Sequence, residues 1–306
     1  MGRANTSLNA PEGAHGVVYR AVQPGVGREV AVKTILAQLA DDPDFVRSFD
    51  AEAQLVANLE HPHIVPIYDY WREPGGAYIV MRLLGGNLED RLVGGPVATN
   101  AVAEMAHQLG SALAAAHRAG VVHGDIKPSN VLVEGDDVYL ADFGVASLVE
   151  STTDGRSLSP SSGFESPEVL AGQPALPASD QFALAVLFFQ LLSGTLPFGT
   201  RAIATAHDRS PSLHVQRPSV PVAVDEVLRR AMAWHPDERY ATVEEFVAGF
   251  VAAMEGRDAI ETKHTDRLVN PYKGLEAFTE VDQSNFHGRR SVVDELASQV
   301  ARPGRD

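Results

Sequence analysis

Apolar residues come in short, strand-like runs through the first third of the chain and in longer stretches with helical spacing after it. Residues 13–35 read as strands, with Gly13-Ala14-His15-Gly16 a turn between two short β-rich runs, the second being Glu29 to Leu36. Over residues 43–59, Phe45, Phe49, Leu55, Val56 and Leu59 fall near helical spacing, and His61-Pro62 stops that helix. Ile64 to Tyr70 and Ala77 to Leu84 are two more strands, joined by Pro74-Gly75-Gly76. Five strands and one helix predict a small lobe over about residues 1–84. Gly85-Gly86 breaks the pattern, and a mostly helical part follows to about residue 255. Val102 to His117 is alanine-rich, with Leu109 and Leu113 four apart. Residues 180–193, 222–234 and 242–254 read as further helices, Arg217 to Pro221 as a loop, and Pro236 as a helix end. Residues 256–269 read as a polar linker ahead of Asn270-Pro271, and there is no internal repeat.

Composition narrows the function. An apolar content of 44% over 306 residues is ample for one large core or two small ones. A net charge of −15 argues against nucleic acid or an anionic membrane surface as the main partner. The absence of cysteine excludes disulfides, thiolate zinc sites and a cysteine nucleophile. Residues 1–6 lack the apolar core of a signal peptide, although Gly2 and Thr6 fit the loose myristoylation pattern. The longest apolar stretch, Phe182 to Leu192, is too short to span a bilayer and reads as a buried helix.

Lysine usage points to the chemistry. Of 25 basic residues only four are lysine, and the first 256 residues hold just Lys33 and Lys127. The first ends Val30-Ala31-Val32-Lys33, and the second lies in His123-Gly124-Asp125-Ile126-Lys127-Pro128-Ser129-Asn130. A compact ammonium suits a phosphate oxygen where a guanidinium is a poor substitute. With so few lysines, these two positions are not an accident of composition.

The order of motifs around them resembles the Hanks-type serine/threonine protein kinases of bacteria, over about residues 10–255. The resemblance implies an α+β, bilobal protein-kinase fold, with a small β-rich N-lobe carrying one main helix and a larger, mostly helical C-lobe. It implies ATP and magnesium (or manganese) as cofactors, serine or threonine hydroxyls of protein substrates as acceptors, and a cytoplasmic setting. Gly13 and Gly16, in Gly13-Ala14-His15-Gly16-Val17-Val18, would let the backbone approach the ATP phosphates, although Pro11 replaces the first glycine of the pattern. Val18, Ala31, the Met81 gatekeeper and the hinge to Leu84 would enclose adenine. Lys33 would hold the α- and β-phosphates and be held by Glu52. Asp125 would orient or accept the acceptor proton, Lys127 would steady the γ-phosphate, and Asn130 with Asp142 of Asp142-Phe143-Gly144 would hold the metal. Phe143 would pack beneath the helix of Glu52. Glu168 of Ser166-Pro167-Glu168 would pair with Arg239, Asp180 would brace the catalytic loop, and Ser161 would stand where the family carries a threonine. Gly124 replaces the usual arginine before the catalytic aspartate, which removes a partner for activation-segment phosphate.

Two rival readings exist. A small-molecule phosphotransferase of the aminoglycoside-kinase type shares the His-Gly-Asp and the asparagine five residues after the aspartate. Lys127, the Asp-Phe-Gly motif and the Ser-Pro-Glu segment oppose it. A pseudokinase or ATP-binding scaffold is favoured by Pro11 and opposed by the complete set of Lys33, Glu52, Asp125, Lys127, Asn130 and Asp142. Residues 270–306 hold Asn270-Pro271-Tyr272-Lys273-Gly274-Leu275-Glu276-Ala277-Phe278 and Phe286-His287-Gly288-Arg289, which resemble the start of a STAND-type NTPase domain without its phosphate-binding loop. That tail implies a truncated fusion or a docking arm for a STAND NTPase or other signalling partner.

Overall fold

Alternating burial organises the first lobe into one antiparallel sheet. The computed structural model describes residues 17–35, 53–73, 76–143, 163–198 and 211–256. Four strands, β1 (Val17–Val22), β2 (Glu29–Ile35), β3 (Ile67–Glu73) and β4 (Gly76–Arg82), lie in the order β1-β2-β4-β3. Residues 53–57 are helical, and Ala53 and Val56 face the interior. In the register, Val18 lies opposite Lys33 and Lys33 opposite Ile79, while Ala31 lies opposite Met81. Partners across a ladder share a face, as do alternate residues along a strand. Val18, Ala31, Lys33, Ile79 and Met81 are therefore on one side of the sheet.

The second lobe is built on helices. They are α1 (Leu88–Leu92), α2 (Thr99–Arg118), α3 (Pro167–Leu170), α4 (Pro177–Ser193), α5 (Leu213–Gln216), α6 (Val222–Ala231) and α7 (Val243–Met254). A short ribbon pairs β5 (Gly86–Asn87), at the start of this lobe, with β6 (Val131–Glu134) and β7 (Asp137–Leu140), which follow α2 in the chain. The apolar run of α4 is buried almost all round, with Phe182, Leu184, Leu187, Phe188 and Leu191 fully inaccessible. Gly194, at φ 81°, ends it in the left-handed conformation that glycine adopts without a Cβ penalty. Helices α2 and α7 meet so closely that a Cβ on Gly110 would come within 2.7 Å of Val247 Cγ2. The Thr242 hydroxyl caps α7 by accepting from the Glu245 N–H, and Glu244 and Glu245 complement the positive end of the helix dipole. Among the described residues no helix is long and apolar enough to cross a membrane.

Three boundaries differ from the sequence reading. The run that directly follows Gly16 is β1, and its hairpin to β2 turns at residues 23–28, where Gly25 and Gly27 take positive φ and the Gln23 N–H bonds the Arg28 carbonyl. The strand expected from Ile64 begins at Ile67 instead. Pro66 has no N–H to give, and the residues before it turn to the other lobe: Val65 donates to the Leu140 carbonyl and Leu140 donates to that of His63. Helix α6 stops at Ala231, so Pro236 does not end it; Pro236 opens a separate 3-10 turn. Four of the five expected N-lobe strands are described. The first, with Gly13, Gly16 and Pro11, lies outside the described residues, as do Glu52, Gly144, Ser161 and residues 257–306.

Candidate active site

Lys33 is 5% exposed, on the face of β2 that also carries Ala31. A buried ammonium needs a partner, and its Nζ lies 2.9 Å from Asp142 Oδ2. Beside it Ala31, Ile79, Met81, Tyr139 and Ala141 form one buried apolar cluster, with Val18, Leu84 and Leu132 packed against it. The ladder ends at Val30 opposite Arg82, so the peptide groups of Leu83 and Leu84 lie beyond it. An apolar slot next to a buried cation suits a flat aromatic base joined to phosphates.

The residues from His123 to Asn130 are held by backbone and side-chain bonds in turn. Asp180, 1% exposed at the start of α4, accepts from the His123 N–H and the Gly124 N–H at 2.8 Å each. His117 Nε2 is also 2.8 Å from Asp180 Oδ2. Gly124 takes φ +77°, a conformation that costs a residue with a Cβ roughly 1 kcal/mol. Asp125 then presents Oδ2 to Lys127 Nζ at 2.7 Å and to Asn130 Nδ2 at 2.8 Å. Asn130 Nδ2 also donates to the Asp125 carbonyl, so its amide hydrogens are both used and Oδ1 remains as an acceptor.

The same residues tie the loop to the segment of Asp142. Ala141 donates to the Asn130 carbonyl, and its own carbonyl lies 3.0 Å from His123 Nε2. A carbonyl only accepts, so Nε2 carries the hydrogen and Nδ1 accepts from the Asp125 N–H. Phe143 packs on the same imidazole with ring centroids 4.5 Å apart, and it belongs to the apolar cluster that includes Val56 of the N-lobe helix. Asp142 has φ 64°, the one positive φ outside glycine among the described residues. Such conformations persist where surroundings enforce them and gather at functional sites. Asp142 and Asn130 Oδ1 together offer the hard oxygen donors that magnesium takes, and an ion that keeps waters and phosphate oxygens needs few protein ligands.

A brace lies behind the site. Arg239 meets Glu168 through two hydrogen bonds of 2.8 Å, and Ser179 Oγ donates to Glu168 at 2.7 Å. Arg239 also donates to the carbonyls of Ala178 and Ala233. Burial alone pushes the Glu168 carboxyl up. The hydrogen bonds from Arg239, the backbone and Ser179, with the charge of Arg239, outweigh it and hold the group down to about 2.

The sequence reading missed His117, the ring of His123 as a clamp, and the apolar wall of Leu132 and Tyr139. Leu132 had a signal, since alternation along the strand after Asn130 turns it away from buried Val131. His117 had none, because its partner Asp180 is 63 residues away.

Known proteins match this arrangement. The model of the protein kinase domain matches residues 11–248. The chain is 37% identical over 268 residues to the serine/threonine-protein kinase PknE of Mycobacterium bovis, covering 84% of this chain and 46% of that protein. It is 36% identical over 258 residues to the serine/threonine-protein kinase PrkC of Bacillus subtilis, covering 81% of this chain and 40% of that protein. The chain thus spans less than half the length of these two relatives. The crystal structure of the Mycobacterium tuberculosis PknI kinase domain superposes with a TM-score of 0.69 at 27% identity, covering 83% of this chain and 96% of that one. The chain belongs to the protein kinase family, in its bacterial Hanks-type branch.

Proposed function

We propose that residues 1–255 form a serine/threonine protein kinase domain that moves the γ-phosphate of ATP to a protein hydroxyl. The observation that carries the reading is the linked set of Lys33 with Asp142, and Lys127 and Asn130 with Asp125. In this reading Asp125 orients the acceptor hydroxyl and takes its proton as that oxygen bonds the γ-phosphorus and the bond from phosphorus to the ADP oxygen breaks. Lys127 offsets charge on the moving phosphoryl group. Lys33, held by Glu52, steadies the α- and β-phosphates, with Gly13 and Gly16 above them. Val18, Ala31, Met81 and Leu84 enclose adenine. Asn130 and Asp142 would hold magnesium or manganese, which when bound neutralises phosphate charge. The need for ATP argues for a cytoplasmic setting.

Residues 256–269 would then be a linker and 270–306 a segment outside the kinase domain that resembles the entry to a STAND-type domain or a docking arm for such a partner, a division supported by the end of the family match at residue 248. The test is incubation of the full chain with labelled ATP, magnesium and a generic protein acceptor. Label should appear as phosphoserine or phosphothreonine, and a chain ending at Gly256 should transfer it equally well. Magnesium-dependent ATP binding without transfer would instead establish a scaffold.

A further inference from the structure

Arg82 is the last residue of β4, and the chain after it, Leu83 and Leu84, leads into the helical lobe. Its N–H donates to the Pro66 carbonyl at 3.1 Å. Its side chain leaves the sheet lobe. Nη2 lies 2.5 Å from Glu134 Oε2, at the end of β6, and the guanidinium carbon lies 5.2 Å from the centroid of the Tyr139 ring on β7. Leu132 lies opposite Tyr139 and Glu134 opposite Asp137, so these four share one face of the ribbon. Leu132 and Tyr139 on that face also wall the apolar slot beside Lys33. The ribbon meets the sheet lobe at a second place, a backbone strap. There the Val65 N–H donates to the Leu140 carbonyl, the Leu140 N–H to that of His63, and His63 Nδ1 lies 3.0 Å from the Val138 carbonyl. Asn130 directly precedes β6, and Asp142 follows the last residue of β7, Leu140, by two. Whatever holds the ribbon against the sheet therefore also holds Asn130 and Asp142 relative to Lys33.

We infer that Arg82 is a positioning residue: with Glu134 and Tyr139 it forms a clasp that sets the ribbon, and with it Asp142, against Lys33 before nucleotide arrives. The inference rests on the kinase reading above, which puts the nucleotide between these groups. A covalent hinge and a backbone strap leave two lobes able to swing about the line that joins them. A side-chain bond from the end of β4 to β6 resists that swing. Arginine suits the task because its planar guanidinium bonds a carboxylate and lies over an aromatic ring at once. The pair is exposed, with side chains 37% and 51% open, so it adds little to the stability of the fold and re-forms readily after each opening. Its contribution is to nucleotide affinity, because a site already assembled spends less binding energy on ordering.

The test uses the full chain with magnesium, reading ADP affinity by calorimetry and transfer from ATP to a generic protein acceptor. Arg82→Glu removes the ion pair and the ring contact and sets two carboxylates face to face. It should weaken ADP binding and raise the KM for ATP by about tenfold each, with kcat within about twofold of the parent and Tm nearly unchanged. Adding Glu134→Arg to that variant restores a pair of opposite charges and should recover most of the loss, whereas Glu134→Arg alone should resemble Arg82→Glu. Raising the salt should weaken ADP binding more in the parent than in Arg82→Ala, which has no pair to screen. An ADP affinity and KM unchanged in Arg82→Glu, or a loss that the double exchange does not recover, would overturn the inference while leaving the kinase reading intact. A parent chain that binds no ADP and transfers no phosphate would remove both.

Discussion

The two lobes bury charge in opposite ways. The sheet lobe is thin: β3 has no buried residue, and the cluster beneath the sheet is small. The helical lobe is thick, with α4 buried along nearly its whole length. In the thick lobe Arg239 and Glu168 are both buried and share further bonds with Ser179 and backbone carbonyls. Nothing in that brace can be exchanged without cost. Among the described residues, two ion pairs join the lobes, Lys33 with Asp142 and the exposed Arg82 with Glu134. Lys33 is buried, but Asp142 keeps 27% of its side chain open. A phosphate or a cation can therefore replace either partner. A fixed pair holds the fold, and an openable pair is suited to ligand exchange.

The largest expected effect separates chemistry from stability at the open site. Asp125→Asn and Lys33→Met should each lower kcat by about 10³-fold, within the range for losing a positioned catalytic group. Neither should move Tm by more than a few degrees, because neither side chain anchors a core. Calorimetry alongside a transfer assay checks both. A large fall in Tm for Lys33→Met would show that its pair holds the fold and would erase the contrast.

The brace should behave in the reverse sense. Glu168→Gln leaves the Arg239 charge buried without its partner and should cost about 3–5 kcal/mol. That corresponds to a fall in Tm of about 6–20 °C in a domain of this size. The sign with pH follows from the depressed carboxyl, about 2 against an ordinary 4.5. Its contribution is fully present above about pH 4.5 and is lost as pH falls through about 2. Acid unfolding of the parent chain should show this component, and Glu168→Gln should lack it.

A smaller effect tests packing alone. Gly110→Ala gains about 1 kcal/mol of helix propensity but forces Val247 aside, at a cost of about 1–3 kcal/mol. The net should be a loss in Tm of a few degrees with turnover at 25 °C unchanged. An unchanged Tm would show that α2 and α7 can part without strain, and that the helical lobe is less rigid than its burial implies.

The proposed catalytic residues were legible because the chemistry assigned to them demands particular residue types at short spacings. Asp125, Lys127 and Asn130 lie within six residues, and their mutual bonds are local. The buried α4 was legible from its unbroken apolar run. The long-range partners Glu168 and Arg239 could be named only through the family resemblance, since no local pattern relates residues 71 apart.

What local spacing could not supply was the choice of partner across the fold. The segment before Pro66 has the composition of a strand, yet it bonds to Leu140 rather than to β4. His117 lies on an ordinary alanine-rich helix, and only the packing of α2 near the start of α4 brings it to Asp180. Arg82 reaches Glu134, 52 positions away, only because the ribbon packs beside the end of β4. Residue type and spacing determine which groups can carry a charge, turn a chain or fill a core. Which of them meet is decided when the elements pack, because a hydrogen bond or ion pair forms wherever burial leaves no better partner.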